Sequence, residues 1–335
     1  VATLTLAQYA QLEKQPLAKG IMMGISQEGL IADIMNFRNL DGALSETGVR
    51  YDEVIEPDWI PLDGTINSGT ANGKPLAYSV YQMAKHIDVP VLLDNNNKTQ
   101  LARASVQQTK LAIKGAAYKV NDCFINGDQA SDANQFEGIN KIVGQMGSTQ
   151  IITPASEIDI STYNSTEANE LFDNLDKMFW ACEGHKPDAV FCNDLFLLRF
   201  ESVLRQAQLR GNTYDWVEAT FKIDDPRRTQ RTAATKPAYT YKEVPFFDIG
   251  VKADQSTRII TSGYTDSLGS NHTRVFAVKF GEDDVEGLQA APLQVKDIGN
   301  NTLEDKEVMR KRLTWTVGLG VWGPRSIVRL DGIKT

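Results

Sequence analysis

From Lys98 to Ile125 the chain runs for 28 residues without a proline and with a single glycine, Gly115. Within it Val106, Ile113, Ala117, Val120 and Phe124 recur at spacings of seven, four, three and four, which puts them on one helical face. A helix of this length extends about 40 Å at 1.5 Å per residue. It is the longest element that the pattern supports.

The rod ends in "CFINGDQASDANQFEGINK", residues 123–141, where acids, amides and glycines crowd together. Calcium is the first chemistry to test. With Asp122 as the first ligand of a twelve-residue loop, Asn126 and Gly127 fall in place, but the third position is Phe124 and the twelfth is Ala133, so the bidentate glutamate is missing. A turn fits better. Gly127 is expected to take the left-handed cap conformation, Asp128 to cap the turn rather than bind an ion, and Phe136 and Ile139 to anchor the return.

Residues 51–90 look like a long hairpin. "VRYDEVIEPDWIPL" and "LAYSVYQMAKHIDVPVLL" flank a tip rich in Gly, Asn, Ser and Thr. Neither face is strongly apolar, and a hairpin of this length is not stable alone, so another surface must hold it. The N-terminus carries a capping box at Thr5 and Gln8 and staple positions at Leu4 and Tyr9. It reads either as an arm lying on something else or as a terminal helix docked on its own domain. "LIADIMNF" (30–37) supplies a second short apolar element.

The middle, 150–300, alternates helix and strand patterns. Leu171, Leu175, Met178, Phe179 and Cys182 share one helical face, and "AVFC" (189–192) reads as a short buried strand. Asn193 and Asp194 are placed to cap a following helix carrying Phe196, Phe200, Val203, Leu204 and Ala207. Strand-like runs follow at 215–223, 244–251, 257–262 and 273–280. Near the end, Leu313, Trp315, Val317, Leu319 and Val321 alternate with Thr or Gly, the clearest β pattern in the chain.

Other chemistry is sought and set aside. "GLGVWG" (318–323) matches the dinucleotide fingerprint, but Pro324 and the β-rich "RSIVRL" follow it, so no βαβ unit fits. His86, His185 and His272 share no ligand spacing, and no zinc-protease, nucleophile-elbow or Walker motif is present. No catalytic, cofactor or metal residues are therefore expected. The net charge of −8 argues against a general nucleic-acid binder, though not against a protein that encloses nucleic acid. Cys123, Cys182 and Cys192, with no C-x-x-C, are expected as free and mostly buried thiols in a reducing compartment. No apolar run approaches a membrane span and no signal peptide is visible, so a soluble, intracellularly made protein is expected.

In order and pattern the chain resembles the major capsid proteins of tailed bacteriophages with the Hong Kong 97 type fold, a family shared with encapsulins. A short arm precedes a long hairpin, then a spine helix runs into an Asn-Gly-Asp turn and a Gly-Ile segment. Asn126, Gly127, Asp128, Gly138 and Ile139 match that pattern. "DAVFCNDLFLLRF" and "LTWTVGLGVWGPRSIVRLDG" look like the family's strand-Asn-helix and long terminal strands. The resemblance spans roughly 30–335.

It implies an α+β fold with 1–50 as N-terminal arm, 51–90 as extended E-loop, 91–150 with 301–335 as P-domain and 151–300 as A-domain. It also implies a structural subunit of an icosahedral capsid, assembling with itself into pentamers and hexamers around double-stranded DNA. Portal, scaffolding or decoration proteins would be its partners, and assembly would take place in the host cytoplasm. Inter-subunit contacts are then expected at Leu4, Leu6, Tyr9, Leu12, Trp59, Ile66, Asn67 and Lys74, and an axial loop at Arg227, Arg228 and Arg231. Some relatives carry a cleaved N-terminal scaffolding segment. Nothing like it is recognisable in this sequence, so the expectation is that it has been removed or that scaffolding comes from another protein. Others weld subunits by a Lys–Asn isopeptide bond with a Glu catalyst. Lys74 is a possible lysine, but residues 308–335 contain neither Asn nor Glu, so no such cross-link is expected. An encapsulin-like nanocompartment shell is the alternative, and an α/β enzyme built around His185 or His272 is a further one.

Overall fold

The computed structural model describes residues 30–51, 55–66, 68–70, 73–91, 104–208, 239–300 and 307–335. The N-terminal capping box, Leu4, Leu6, Tyr9, Leu12, Asn67, the run 215–223 and the basic loop with Arg227, Arg228 and Arg231 lie outside these residues.

A short helix, α1 (Leu30–Ile34), leads into a strand, β1 (Phe37–Asn39). β2 (Ser45–Tyr51) and β3 (Gly73–Ser79) pair antiparallel as a separate ribbon, from Ser45 opposite Ser79 to Tyr51 opposite Gly73. The hairpin expected over 51–90 is thus displaced. Its paired limbs are 45–51 and 73–79, residues 55–66 form no strand, and β4 (Tyr81–Pro90) leaves it. Two causes are plain. Pro57 and Pro61 remove ladder donors from the first limb, and Ile87 and Val89 of β4 are buried against Leu313 and Ala116, a better place for them than an open ribbon.

β4 joins a four-stranded sheet in the order β1-β12-β13-β4, built on β12 (Val285–Asn300) and β13 (Val308–Val321). Leu313, Trp315, Val317, Leu319 and Val321 of β13 are all buried, as their alternation requires. Gly318 and Gly320 of the fingerprint match lie within β13, and a strand rather than a helix follows them.

The long run forms α2, Ala104–Asn126. Its C-terminal half buries Val120, Cys123 and Phe124, and the Phe124 ring meets Phe191 edge-on at 5.7 Å. The stripe expected to bury Val106 and Ile113 does not continue into the first half, where both are exposed together with Leu111. There Ser105 is buried, and the small residues Ala112 and Ala116 pack against Ile87, Val89 and Leu313 of the four-stranded sheet. Space is open around Gly115: no atom lies within 4 Å of where its Cβ would be. Gly115→Ala is expected to stabilise the fold by about 0.8 kcal/mol through helix propensity alone. The check is the urea midpoint, which should rise at unchanged slope.

After α3 (Ile139–Met146) come β5 (Ile151–Ile152), β6 (Ile158–Asp159) and α4 (Ser165–Ala181), the last capped by Asn164 Oδ1, which accepts from Thr166 N at 3.1 Å. β7 (Ala189–Cys192), α5 (Asp194–Gln208), β8 (Tyr239–Tyr241), β9 (Val244–Asp248), β10 (Tyr264–Asp266), β11 (Gly269–Val278) and β14 (Ile327–Lys334) complete the chain. They form a second sheet ordered β5-β14-β11-β7-β9-β8, with β10 beside β11 and β6 beside β14.

This sheet is covered on both faces, which explains its continuous apolar runs. Ala189, Phe191, Phe276, Val278 and Ile327 face the core shared with α1, α2 and α3. Val190, Cys192, Val275, Ala277, Val328 and Leu330 face α4 and α5, where Phe196, Phe200 and Phe246 stack. The three cysteines are free and buried, and burial pushes the Cys182 thiol up to about 12. The strand expected at 257–262 is reduced to one bridge, Val251 with Arg258. Asparagine side chains take the carbonyls there: Asn126 Nδ2 donates to Ile259 O at 2.8 Å and Asn193 Nδ2 to Ile260 O at 3.3 Å.

Candidate assembly surfaces

Where α2 stops, two glycines lie backbone against backbone. Gly127 N donates to Cys123 O and Gly138 N to Gly127 O, each at 2.9 Å. A Cβ on Gly138 would stand 2.6 Å from Cys123 O, Gly127 N and Ile125 O, and one on Gly127 would run into the carbonyl of Phe136. Gly127 is not in the left-handed region. The expected reason for this glycine is therefore corrected: closeness of approach, not a positive φ, excludes a side chain.

Around this contact Asn126 donates to Asp122 Oδ1 at 3.0 Å and accepts from Tyr264 OH at 3.2 Å, tying the helix end to the second sheet. Asp128 Oδ1 accepts from Ala130 N at 3.0 Å and faces Lys141 Nζ at 3.3 Å, which hold its carboxyl below the usual carboxylate range. The structure thus brings Asn126, Gly127, Asp128 and Gly138 together, as a joint.

The hairpin is fixed at its root. The Trp322 ring lies against Gly48, where it would collide with a Cβ, and meets the Tyr78 ring edge-on at 5.1 Å. Tyr78 OH donates to Val321 O at 2.6 Å, and Trp322 Nε1 to Glu286 Oε1 at 2.7 Å. Arg38 completes the clamp, 2.6 Å from Glu46 on the ribbon and 2.8 Å from Glu286 on the sheet. Burial raises the Glu286 pKa, with Trp322 and Arg38 opposing the shift. Residues at 38, 46, 48, 78, 286 and 322 are too dispersed in sequence for any spacing argument to gather them.

The other end is bare. Trp59 and Leu62 are fully exposed, at 103% and 106%, and Ile66 is 80% exposed, with Ile55 and Ile60 also open to solvent. Lys74 sits on β3, exposed. An apolar cluster of this kind on a monomer marks an interaction site.

The histidines have unrelated surroundings. His86 Nε2 accepts from Arg312 at 3.3 Å, and His185 lies on Trp180. His272 is fully buried, its ring nitrogens 2.9 Å from Asp266 and 3.3 Å from Glu157. Among the described residues no group of three His, Cys, Asp or Glu side chains fits a metal ion, and no helix is long and apolar enough to cross a membrane.

No protein-family model matches the chain, and no curated protein matches it in sequence. Solved structures do. The SrpI encapsulin complex from Synechococcus elongatus PCC 7942 is similar over 95% of both chains, with a TM-score of 0.59 at 12% identity. The capsid of Myoviridae phage XM1 is similar over 92% of this chain and 94% of its own, with a TM-score of 0.55 at 13% identity. A chain of Mycobacterium phage Bobi is similar over 100% of both, with a TM-score of 0.58 at 11% identity. These are capsid and shell proteins rather than enzymes. The class defined is thus that of mixed α+β shell-forming folds. More particularly, the chain has the Hong Kong 97 type capsid fold, which phage major capsid proteins and encapsulins share.

Proposed function

We propose that this chain is the structural subunit of an icosahedral capsid, assembling as pentamers and hexamers that enclose double-stranded DNA. One observation carries the reading: within a capsid fold, a ribbon held at its root presents an apolar tip that none of the described residues covers. Such a tip suits a subunit that reaches over its neighbour, the head-to-tail contact by which rings close. In this reading the paired ribbon and its tip, 45–79, are the E-loop. The sheet containing β12 and β13, with α2, is the P-domain, and the second sheet with α4 and α5 is the A-domain. The reading further assigns an N-terminal arm within residues 1–50 and an axial loop at Arg227, Arg228 and Arg231. The acidic net charge suits a shell that does not grip its genome. Portal, scaffolding or decoration proteins are its further partners, and the virion is its location.

The likeness to the SrpI encapsulin over nearly the full chain supports a second reading, a nanocompartment shell around protein cargo. Particles purified from cells separate the two. Nuclease-protected double-stranded DNA inside supports the capsid, whereas a stoichiometric protein cargo without DNA overturns it. Boiling such particles in SDS is expected to release one band near 37 kDa, because residues 308–335 offer Lys74 no Asn partner and no Glu. A ladder of covalent rings would contradict this.

A further inference from the structure

We infer that His272 is a proton-binding site that locks the end of β14 to β6, β10 and β11. This corner of the second sheet is tight while the ring carries two protons and loosens when it loses one. The inference stands apart from the shell reading. It rests on where donors and acceptors lie around one buried ring.

The ring has a carboxylate at each nitrogen. Nδ1 lies 2.9 Å from Asp266 Oδ2. That oxygen also accepts from Gly332 N at 3.0 Å, and Oδ1 accepts from Leu268 N at 2.9 Å. Asp266 is therefore an acceptor throughout, and Nδ1 must carry a proton. Nε2 has no hydrogen-bond partner among the described residues, yet lies 3.3 Å from Glu157 Oε2. In the neutral ring this nitrogen is a buried lone pair turned to a carboxylate oxygen, two acceptors with nothing between them. A proton on Nε2 turns the same contact into an ion pair. Both carboxylates are held ionised. Lys334 Nζ, 3.0 Å from Glu157 Oε1, and His272 lower the Glu157 pKa. Burial pushes the Asp266 carboxyl up, but Leu268 N–H and His272 outweigh it and leave it lowered.

The surrounding charges make the same demand. Asp266 on β10, Glu157, Asp159 on β6 and Asp331 on β14 meet three permanent cations: Lys334 and Arg329 on β14 and Arg274 on β11. α4, packed on β6 and β14, adds Glu167 and Glu170, which form no ion pair among the described residues. Acids outnumber permanent cations here, which favours a charged ring against the cost of its burial. What the ring closes is a bulge. Gly332, at φ +77°, sits where the pairing of β14 with β11 shifts register between Thr273 and Val275. Asp266 holds Gly332 N and Glu157 holds Lys334, so the two carboxylates tie the ring to β14 at two points.

Urea unfolding of the full chain from about pH 6 to about pH 8.5 tests this, a range that covers the ordinary imidazole titration. A proton bound in the folded chain and released on unfolding makes stability fall as pH rises. Glu157→Gln supplies the comparison. The Glu157 side chain is partly exposed, and the amide keeps its shape. Its N–H can donate to the lone pair of the neutral ring, so the variant does not need the proton. Lys334 keeps Asp159 at 3.6 Å. His86 and His185 are common to both chains and cancel. The unfolding constant of the wild-type chain is expected to rise about tenfold more than the variant's across this range, the effect of one proton over one pH unit. In a second measurement, ¹⁵N spectra of ring-labelled histidines in the folded wild-type chain at about pH 7.5 should show a ring with both nitrogens protonated, which Glu157→Gln lacks.

Equal pH slopes in the two chains overturn the inference, and so does a His272 ring that carries a single proton throughout this range. If Glu157→Gln does not fold, the wild-type spectrum alone decides. None of these outcomes touches the shell reading, which depends on assembly.

Discussion

Gly138→Ala is expected to be the most damaging single substitution in this chain. A methyl group there meets three backbone atoms at 2.6 Å, on the residues that end α2 and begin the return. Backbone cannot rotate aside as a flexible side chain does, so relief requires separating the turn from the helix end. That separation breaks the Gly138 N to Gly127 O bond and pulls Ile139, which is fully buried, from the core. Overpacking of this severity costs about 3 kcal/mol, against a total stability of roughly 5–15 kcal/mol for an ordinary domain. Urea denaturation should show the lowered midpoint. Gly144→Ala, in α3 with open space around its Cβ position, is the control expected to cost nothing. Equal midpoints for the two variants would remove the close-approach account of this joint.

Replacing residues 52–72 by Asn-Gly is expected to abolish assembly while sparing the fold. Tyr51 and Gly73 are paired, so a two-residue turn closes the ribbon in its existing register. The root clamp of Arg38, Glu46, Tyr78, Glu286 and Trp322 remains, and among the described residues none of the buried core lies in the excised segment. The urea midpoint should therefore stay within about 0.5 kcal/mol of the parent, the range of changes away from packed features. What is lost is Trp59, Ile60, Leu62 and Ile66, apolar groups that stand exposed among the described residues. Sedimentation should find small species at every concentration at which the parent forms particles. Particles of normal size from the shortened chain would show that the tip is dispensable.

Local periodicity made much of this architecture legible. The alternation from Leu313 to Val321, the helical stripes of α4 and α5, and the capping position of Asn193 all follow from short-range rules that the structure satisfies. The misreadings came from long-range competition. Nothing near Tyr81 in sequence says that β13, more than two hundred residues later, offers β4 a buried partner. Val106 and Ile113 fit a helical stripe, yet both stand exposed among the described residues, because Ala112 and Ala116 face the sheet beneath. Local sequence suggests a left-handed cap for Gly127, since its crowding partner, Gly138, is brought in by tertiary structure. The hairpin root shows the same limit, being an electrostatic and aromatic contact assembled from four separate parts of the chain. The exposed tip is not legible in local patterns: Trp59 and Ile66 enter only as inter-subunit contacts that the resemblance implies.

Electron cryomicroscopy of the purified wild-type chain over a range of protein concentrations and ionic strengths tests the central claim most directly. The account predicts closed icosahedral shells in which the 45–79 ribbon of each subunit overlies an adjacent one. A protein that stays monomeric under every condition would contradict it.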